Sequence, residues 1–351
     1  MAHALSFVVP GDINTRTGGY GYDRRIVAGL RQRGWTVDLV SLPGTFPTPG
    51  DDGLAAARHA FDAIRPRTVV LVDGLALGAL PAIAARQRDR LRLIGLVHHP
   101  LGLETGLDAA TSARLLASER EALRHVRHVV VTSTRTVDAV ADLGVPAHHI
   151  TVVVPGTDPA PAAHGSRTEV PHLLCVASLT PRKGHTVLFD ALEKLLHLPW
   201  HLTCVGSAHG DGDYADALRT RAATEPLASR ITMAGELAGD PLDRAYDNAD
   251  LFVLPTYYEG YGMVIGEAIA RALPVVSTPT GAIADLVGDD AGVLVQAGDA
   301  AALAGALERL LTDAAELARL RAGAARRRPT LPTWDDACRQ MEAVLVQAAG
   351  R

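Results

Sequence analysis

The sequence predicts an α/β protein of two successive doubly wound parallel-sheet domains facing a cleft, and three observations predict it. Short apolar runs alternate with amphipathic segments along the whole chain, the pattern of buried strands and their crossover helices. The alternation breaks once, at Pro155-Gly156-Thr157-Asp158-Pro159-Ala160-Pro161, and then restarts. At 351 residues the chain is long for one domain and natural for two. Aromatic residues make up 4% of a composition that is 48% hydrophobic, so the core is aliphatic, as parallel sheets covered on both faces require.

In the first half, the runs at 4–9, 35–40, 68–72, 91–97, 128–132 and 150–154 read as strands, with helical patterns such as 24–33 and 109–124 between them. In the second half, 173–176, 202–205, 231–233, 251–254, 275–277 and 293–295 read as strands in the same rhythm. The expected domains are therefore 1–157 and 158–331, both Rossmann-like. A last helical stretch, 334–347, follows Pro332 and is expected to pack back across the domain junction.

Composition narrows the function. A net charge of −5 argues against a general nucleic-acid binder. Residues 1–157 carry 17 Lys+Arg against 14 Asp+Glu, whereas 158–351 carry 17 against 25, so the first half is +3 and the second −8. A mildly basic first domain suits an anionic acceptor or a weak peripheral contact with an acidic membrane surface, and equally an uneven solvated surface. No apolar run reaches the ~20 residues of a spanning helix, and residues 1–10 do not read as a cleavable leader. Cys175, Cys204 and Cys338 are few and far apart, which suits buried thiols in the cytoplasm better than disulfides or a metal site.

The most informative segment runs from Asp250 through Leu254-Pro255-Thr256-Tyr257-Tyr258-Glu259-Gly260-Tyr261-Gly262-Met263-Val264 to Glu267-Ala268. A strand ends at Pro255, a glycine-bearing loop follows, and a helix begins near Gly262. The backbone N–H groups of Tyr261, Gly262, Met263 and Val264 then lie free at a helix N-terminus, a place suited to an anion. Glu259 lies on the loop and Glu267 about two turns into the helix, where its carboxylate can accept hydrogen bonds from a diol. On spacing alone, Glu259 as a surface loop residue and Glu267 as a solvated helix residue fit as well as a pair of ligand-binding carboxylates.

Upstream, Val176-Ala177-Ser178-Leu179-Thr180-Pro181-Arg182-Lys183-Gly184 lies between a strand and a helix. Arg outnumbers Lys 32 to 2, so Lys183 is hard to ascribe to composition. In the first domain, Gly18 and Gly19 follow the first strand, and Tyr20, Tyr22, Asp23 and Arg24 open the next helix. The glycines do not form a GxGxxG loop, and no acidic residue completes a dinucleotide site. His98-His99-Pro100 ends the fourth strand. Adjacent side chains on an extended segment point to opposite sides, so the two histidines do not chelate one metal together.

The Glu-x7-Glu run and its surroundings resemble the GT-B retaining glycosyltransferases often called family 4 (glycosyltransferase group 1). The resemblance continues in order through Leu273-Pro274-Val275-Val276-Ser277-Thr278, Thr280-Gly281-Ala282, Gly292-Val293-Leu294-Val295 and Gly298-Asp299, and so covers nearly all of the second domain. The segment 176–184 is similar to the family's Gly-Arg-Leu-x3-Lys-Gly. Ser178 replaces the family's Arg, and Arg182 is the candidate substitute for its charge. Val131-Thr132-Ser133 and Val153–Asp158 also match, although Pro-Gly-Thr-Asp replaces the commoner Pro-Asn-Gly-Val-Asp.

The resemblance implies transfer of a hexose-type unit from a UDP-, GDP- or ADP-sugar, with retention, onto a small-molecule or lipid-linked acceptor. It implies that Lys183, with Arg182 near Ser178, grips the donor diphosphate, and that the Gly260–Val264 segment binds it by backbone. Glu259 and His98 face the reacting sugar, and Glu267 takes the ribose. Gly18 and Gly19 approach the transferred sugar and phosphate, and Tyr20, Tyr22 and Arg24 face the acceptor. No cofactor beyond the nucleotide-sugar co-substrate is implied and no metal, since cations and helix dipoles offset the diphosphate and no DxD motif has a strand context. A nucleotide-sugar epimerase of the same shape and a catalytically silent GT-B binding module are the alternatives. The base, the sugar, the acceptor and the oligomeric state are not encoded in these motifs.

Overall fold

Each apolar run becomes a strand of a parallel sheet in the computed structural model, which describes residues 3–208 and 212–350; the first two residues of the 1–10 stretch lie outside it. One unit comprises the chain up to Gly156 together with the segment from Pro332, and the other is Thr157–Leu331.

In the first unit, β1 (Ala4–Pro10), β2 (Thr36–Leu42), β3 (Val69–Asp73), β4 (Arg92–Val97), β5 (His128–Val131) and β6 (Ile150–Val152) form one sheet in the order β2-β1-β3-β4-β5-β6. Every pairing is parallel, from Ala4 opposite Thr36 to Val131 opposite Val152. Val8, Val70, Val72, Leu93, Val97, Val129 and Val131 build its aliphatic core with Leu77 and Phe61. Successive strands are added on opposite sides of β1, so the order reverses between β1 and β3. That reversal opens a crevice outside the carboxyl ends of these two strands.

The helix after β1 spans Gly18–Gln32, starting six residues before the apolar periodicity of 24–33 indicates. Thr17 is the reason: its side chain accepts from the Tyr20 N–H and caps the first turn, into which Gly18 and Gly19 are drawn. The C-terminal helix Trp334–Gly350 packs on this helix inside the first unit. The crossing is close at Gly29, where an added Cβ would lie 2.1 Å from the Cys338 sulfur.

The second unit repeats the plan with β7 (His172–Val176), β8 (His201–Val205), β9 (Ile231–Gly235), β10 (Leu251–Leu254), β11 (Val275–Ser277) and β12 (Gly292–Leu294). Their order, β12-β11-β10-β7-β8-β9, is that of a six-stranded Rossmann sheet, and the reversal falls between β7 and β10. All three cysteines are free and buried, Cys175 and Cys204 facing each other across β7 and β8. Among the described residues no helix is long and apolar enough to cross a membrane.

Candidate active site

The carboxyl ends of β7 and β10 bring the Lys183 segment and the Glu259 loop together at the reversal point of the second sheet. After β7, a single 3-10 turn, Pro181–Lys183, leads into helix His185–Glu193 through Gly184. Gly184 has φ +72°, and a Cβ there would come within 2.1 Å of the Pro255 carbonyl, so only glycine lets the two loops touch. The loop after β10 is tied to its neighbour by the Tyr257 N–H, which donates to the Arg182 carbonyl at 2.8 Å. The Thr256 hydroxyl lies 3.0 Å from both the Arg182 and the Tyr258 carbonyls. On the far side Gly281, at φ +56°, brings its backbone so close that a Cβ would fall 1.9 Å from the Glu259 carbonyl. The Glu259 loop is thus gripped from two sides by backbone.

Within that grip Lys183 donates directly to Glu259 Oε1 in an ion pair. Arg182 donates to the Tyr258 carbonyl at 2.8 Å and lies 3.9 Å from the same carboxylate oxygen. Glu259 is only 8% exposed. Burial raises its pKa, but Lys183 and Arg182 outweigh burial and hold the carboxyl below its usual value. Ser178, where the family pattern has Arg, is half-buried upstream of the turn, and its carbonyl accepts from the Thr180 N–H at 2.9 Å.

Past the half-buried Gly260 the chain turns at Tyr261 and Gly262 into helix Met263–Ala270. The first backbone bond at this end runs from the Ile265 N–H to the Gly262 carbonyl at 2.9 Å, so the amides of Met263 and Val264 precede the hydrogen-bonded turns. The Tyr261 hydroxyl is buried with no hydrogen-bond partner among the described residues, and burial pushes its pKa to about 12. Glu267 is not a solvated helix residue. Its Oε2 accepts from the Tyr246 hydroxyl at 2.9 Å, and Arg271 lies 4.4 Å over the Tyr246 ring. Burial raises the Glu267 pKa by more than Tyr246 and Arg271 lower it. Tyr246, from helix Asp240–Asp247, is a partner the sequence motif does not reveal.

The reversal point of the first sheet holds a second cluster. His98, just past β4, directs Nε2 at Asp23 Oδ1 (3.1 Å) and lies 3.7 Å from Asp73 Oδ2. Asp23 comes from the Gly18–Gln32 helix and Asp73 from the end of β3, where its other oxygen accepts from the Leu75 N–H at 2.7 Å. Gly19 lies against the imidazole, with a Cβ position 3.4 Å from His98 Cδ2, and Gly18 borders open space. The Tyr22 and His98 rings stand nearly perpendicular, with centroids 5.3 Å apart.

The polar ends of the three acceptor-side candidates have partners inside this unit. Tyr22 donates to the Val153 carbonyl at 3.0 Å, Tyr20 to the Pro10 carbonyl, and Arg24 to the carbonyls of Ile13 and Thr15. They brace the loop after β1 and the wall behind His98. Sequence reasoning named Asp23 only as one of the residues opening the helix, not as a partner of His98, and it passed over Asp73, for which an aspartate ending a strand at the reversal point was the available signal. The His98, Asp23 and Asp73 ligand atoms lie within 4.8 Å of one another, close enough for a cation among the described residues. A direct imidazole–carboxylate hydrogen bond already joins two of the three, so protons suffice to hold the group.

Comparison with known proteins bears on the family and the fold. A family model described as "Glycosyl transferases group 1" matches residues 170–313, and one described as "Glycosyl transferase 4-like domain" matches 46–156. The D-inositol 3-phosphate glycosyltransferase of Xylanimonas cellulosilytica is 31% identical over 288 residues, which cover 76% of this chain and 65% of that protein. The chain therefore spans just under two thirds of the length of the first curated relatives it matches. Among solved structures, sucrose-phosphate synthase from Thermosynechococcus elongatus superposes with a TM-score of 0.83 at 22% identity, over 98% of both chains. Anabaena HepE in complex with UDP-glucose superposes with a TM-score of 0.77 at 18% identity, over 98% of this chain and 99% of that one.

Proposed function

Because the chain belongs to the group 1 glycosyltransferases of the GT-B fold, we propose that it transfers a sugar from a nucleoside-diphosphate sugar to an acceptor hydroxyl, with retention and without a divalent metal. The observation that carries this reading is the Lys183–Glu259 ion pair at the β7/β10 reversal point, with Arg182 beside it. A buried ion pair is a poor source of stability but a ready-made exchange site. A diphosphate brought against Lys183 and Arg182 replaces Glu259 as their counter-anion. The freed carboxylate then turns to the hydroxyls and developing positive charge of the transferred sugar.

Each remaining group takes a part of the donor. The amides of Met263 and Val264 donate to phosphate oxygens, with Gly260 and Gly262 allowing close approach. Glu267, steadied by Tyr246, accepts from the ribose hydroxyls. In the reaction, the bond between the anomeric carbon and the diphosphate oxygen breaks as the acceptor oxygen attacks from the same face. The acceptor's proton passes to a phosphate oxygen of the leaving group, whose growing charge Lys183 and Arg182 offset.

A UDP-glucose complex of a protein of the same fold supports a nucleotide-sugar donor. The decisive assay follows nucleoside diphosphate release from UDP-, GDP- and ADP-sugars with and without an acceptor panel. Acceptor-dependent release with an unchanged anomeric configuration supports the proposal. Donor interconversion without transfer would support an epimerase, and binding without turnover a silent module.

A further inference from the structure

The charge state of His98 decides what the first reversal point can do, and the structure constrains it from several sides. The Nε2 edge of the ring faces two carboxyls, Asp23 at 3.1 Å and Asp73 at 3.7 Å. Asp23 is fully buried and keeps one oxygen, Oδ2, without a hydrogen-bond partner among the described residues. Asp73 is 3% exposed. The described residues place no Lys or Arg within ion-pair distance of either carboxyl, leaving His98 as the group available to compensate them. Nδ1 has no protein partner there, and the His98 side chain is 23% exposed.

We propose that Asp23 and Asp73 are positioning residues that keep His98 doubly protonated, so that its Nδ1–H donates to a substrate oxygen. The ring then has no lone pair with which to take the proton of an acceptor hydroxyl. The protonation state follows from the cluster alone; its chemical consequence rests on the transfer reading above. One carboxylate behind a histidine fixes a tautomer and leaves the far nitrogen basic. Two carboxyls behind the same nitrogen edge make loss of the ring proton much harder.

The surrounding titratable groups act in the same direction. Burial alone would lower the His98 pKa, but the charge and hydrogen bond of Asp23, with Asp73, raise it above the ordinary histidine value. Asp73 is pushed up to about 7 by burial, by the Asp23 charge and by a hydrogen bond to the Asp23 side chain, with His98 and the Leu75 N–H pulling it back, so below that pH Asp23 is the carboxylate that holds the ring proton. As pH rises Asp73 ionises, which strengthens the hold on the imidazolium rather than loosening it. Tyr20 faces Asp73, Asp23 and Asp12; burial first and then these charges push its hydroxyl to about 12, so it stays neutral. Tyr22, on the same helix, packs its ring nearly perpendicular to His98 and is raised further, chiefly by burial. On the His98 strand end, His99 lies 4.0 Å from Glu104 and away from the carboxyls.

The test is nitrogen-detected NMR of the full chain labelled in histidine, with His98→Gln used to assign the resonance. An ordinary histidine is roughly 10% protonated at pH 7.5. The proposal expects both nitrogens of wild-type His98 to be protonated in more than half the molecules at that pH. Asp23→Asn should cut this fraction at least about fivefold, and Asp73→Asn should cut it by less. A wild-type His98 that is mostly neutral at pH 7.5 overturns the proposal and makes the ring a base. So does an Asp23→Asn titration identical to wild type; if that variant does not fold, the wild-type and Asp73→Asn titrations decide. Calorimetry with UDP, GDP and ADP on the same samples tests the transfer reading separately, since absence of binding of all three would sink that reading and leave the His98 titration standing.

Discussion

At the scale of single residues, the site depends on Glu259 and Glu267 having different partners. Glu259 shares a carboxylate oxygen with Lys183, whereas Glu267 is tied to Tyr246. An interaction made chiefly in the transition state lowers turnover, and one made throughout raises KM. Glu259→Gln is expected to cut kcat by about 10²-fold, the scale of a lost electrostatic stabiliser, without weakening nucleoside diphosphate binding, since the diphosphate no longer displaces a carboxylate from Lys183. Glu267→Gln is expected to weaken donor and nucleoside diphosphate together, and steady-state kinetics with product inhibition separates the two. Swapped phenotypes would refute the assignment. Lys183→Ala should weaken a nucleoside diphosphate more than the free nucleoside, by about 1.5–3 kcal/mol for a lost charge-assisted bond, read by calorimetry. Equal losses would place Lys183 away from the phosphates.

At the scale of elements, Glu119 shows how the helices hold the strand ends. From helix Ala109–Leu123 it accepts from the Leu101 N–H at 2.8 Å, fixing the turn that follows His98-His99-Pro100. Its other oxygen is buried without a partner among the described residues, and burial raises its pKa to about 7. A raised folded pKa gives stability that is complete below the unfolded value near 4.5 and lost as pH climbs through about 7. Wild type should therefore lose up to about 3 kcal/mol more than Glu119→Gln between pH 4.5 and 8 in denaturant titrations. Parallel pH profiles would contradict this. Glu119 was invisible in the sequence because its partner is a backbone amide 18 residues away. The strands were legible because a doubly covered parallel strand must be apolar throughout. The start of the first helix was not, since Gly18-Gly19 reads as a turn until Thr17 is seen to cap it. The Lys183 and Glu259 segments were read as separate motifs; that Gly184 and Gly281 press them into one ion pair is a matter of sheet order and backbone approach, which spacing does not encode.

At the scale of the whole molecule, the chain repeats one device. In each unit a parallel sheet reverses its strand order, and a compensated cluster of charges gathers at the carboxyl ends beside that reversal: Asp23, Asp73 and His98 in one, Arg182, Lys183 and Glu259 in the other. The second cluster supplies the cations that a diphosphate needs, so turnover should persist in excess EDTA. Loss of activity that added Mg²⁺ or Mn²⁺ restores would overturn metal independence. The central claim, that the second unit takes a nucleotide-sugar donor, is tested most directly by calorimetric titration of the chain with UDP-glucose, GDP-mannose and ADP-glucose in EDTA. Saturable binding of at least one of them is expected, weakened at least about tenfold by Lys183→Ala, a loss of roughly 1.4 kcal/mol or more. No binding of any of the three, or binding that Lys183→Ala leaves unchanged, would contradict it.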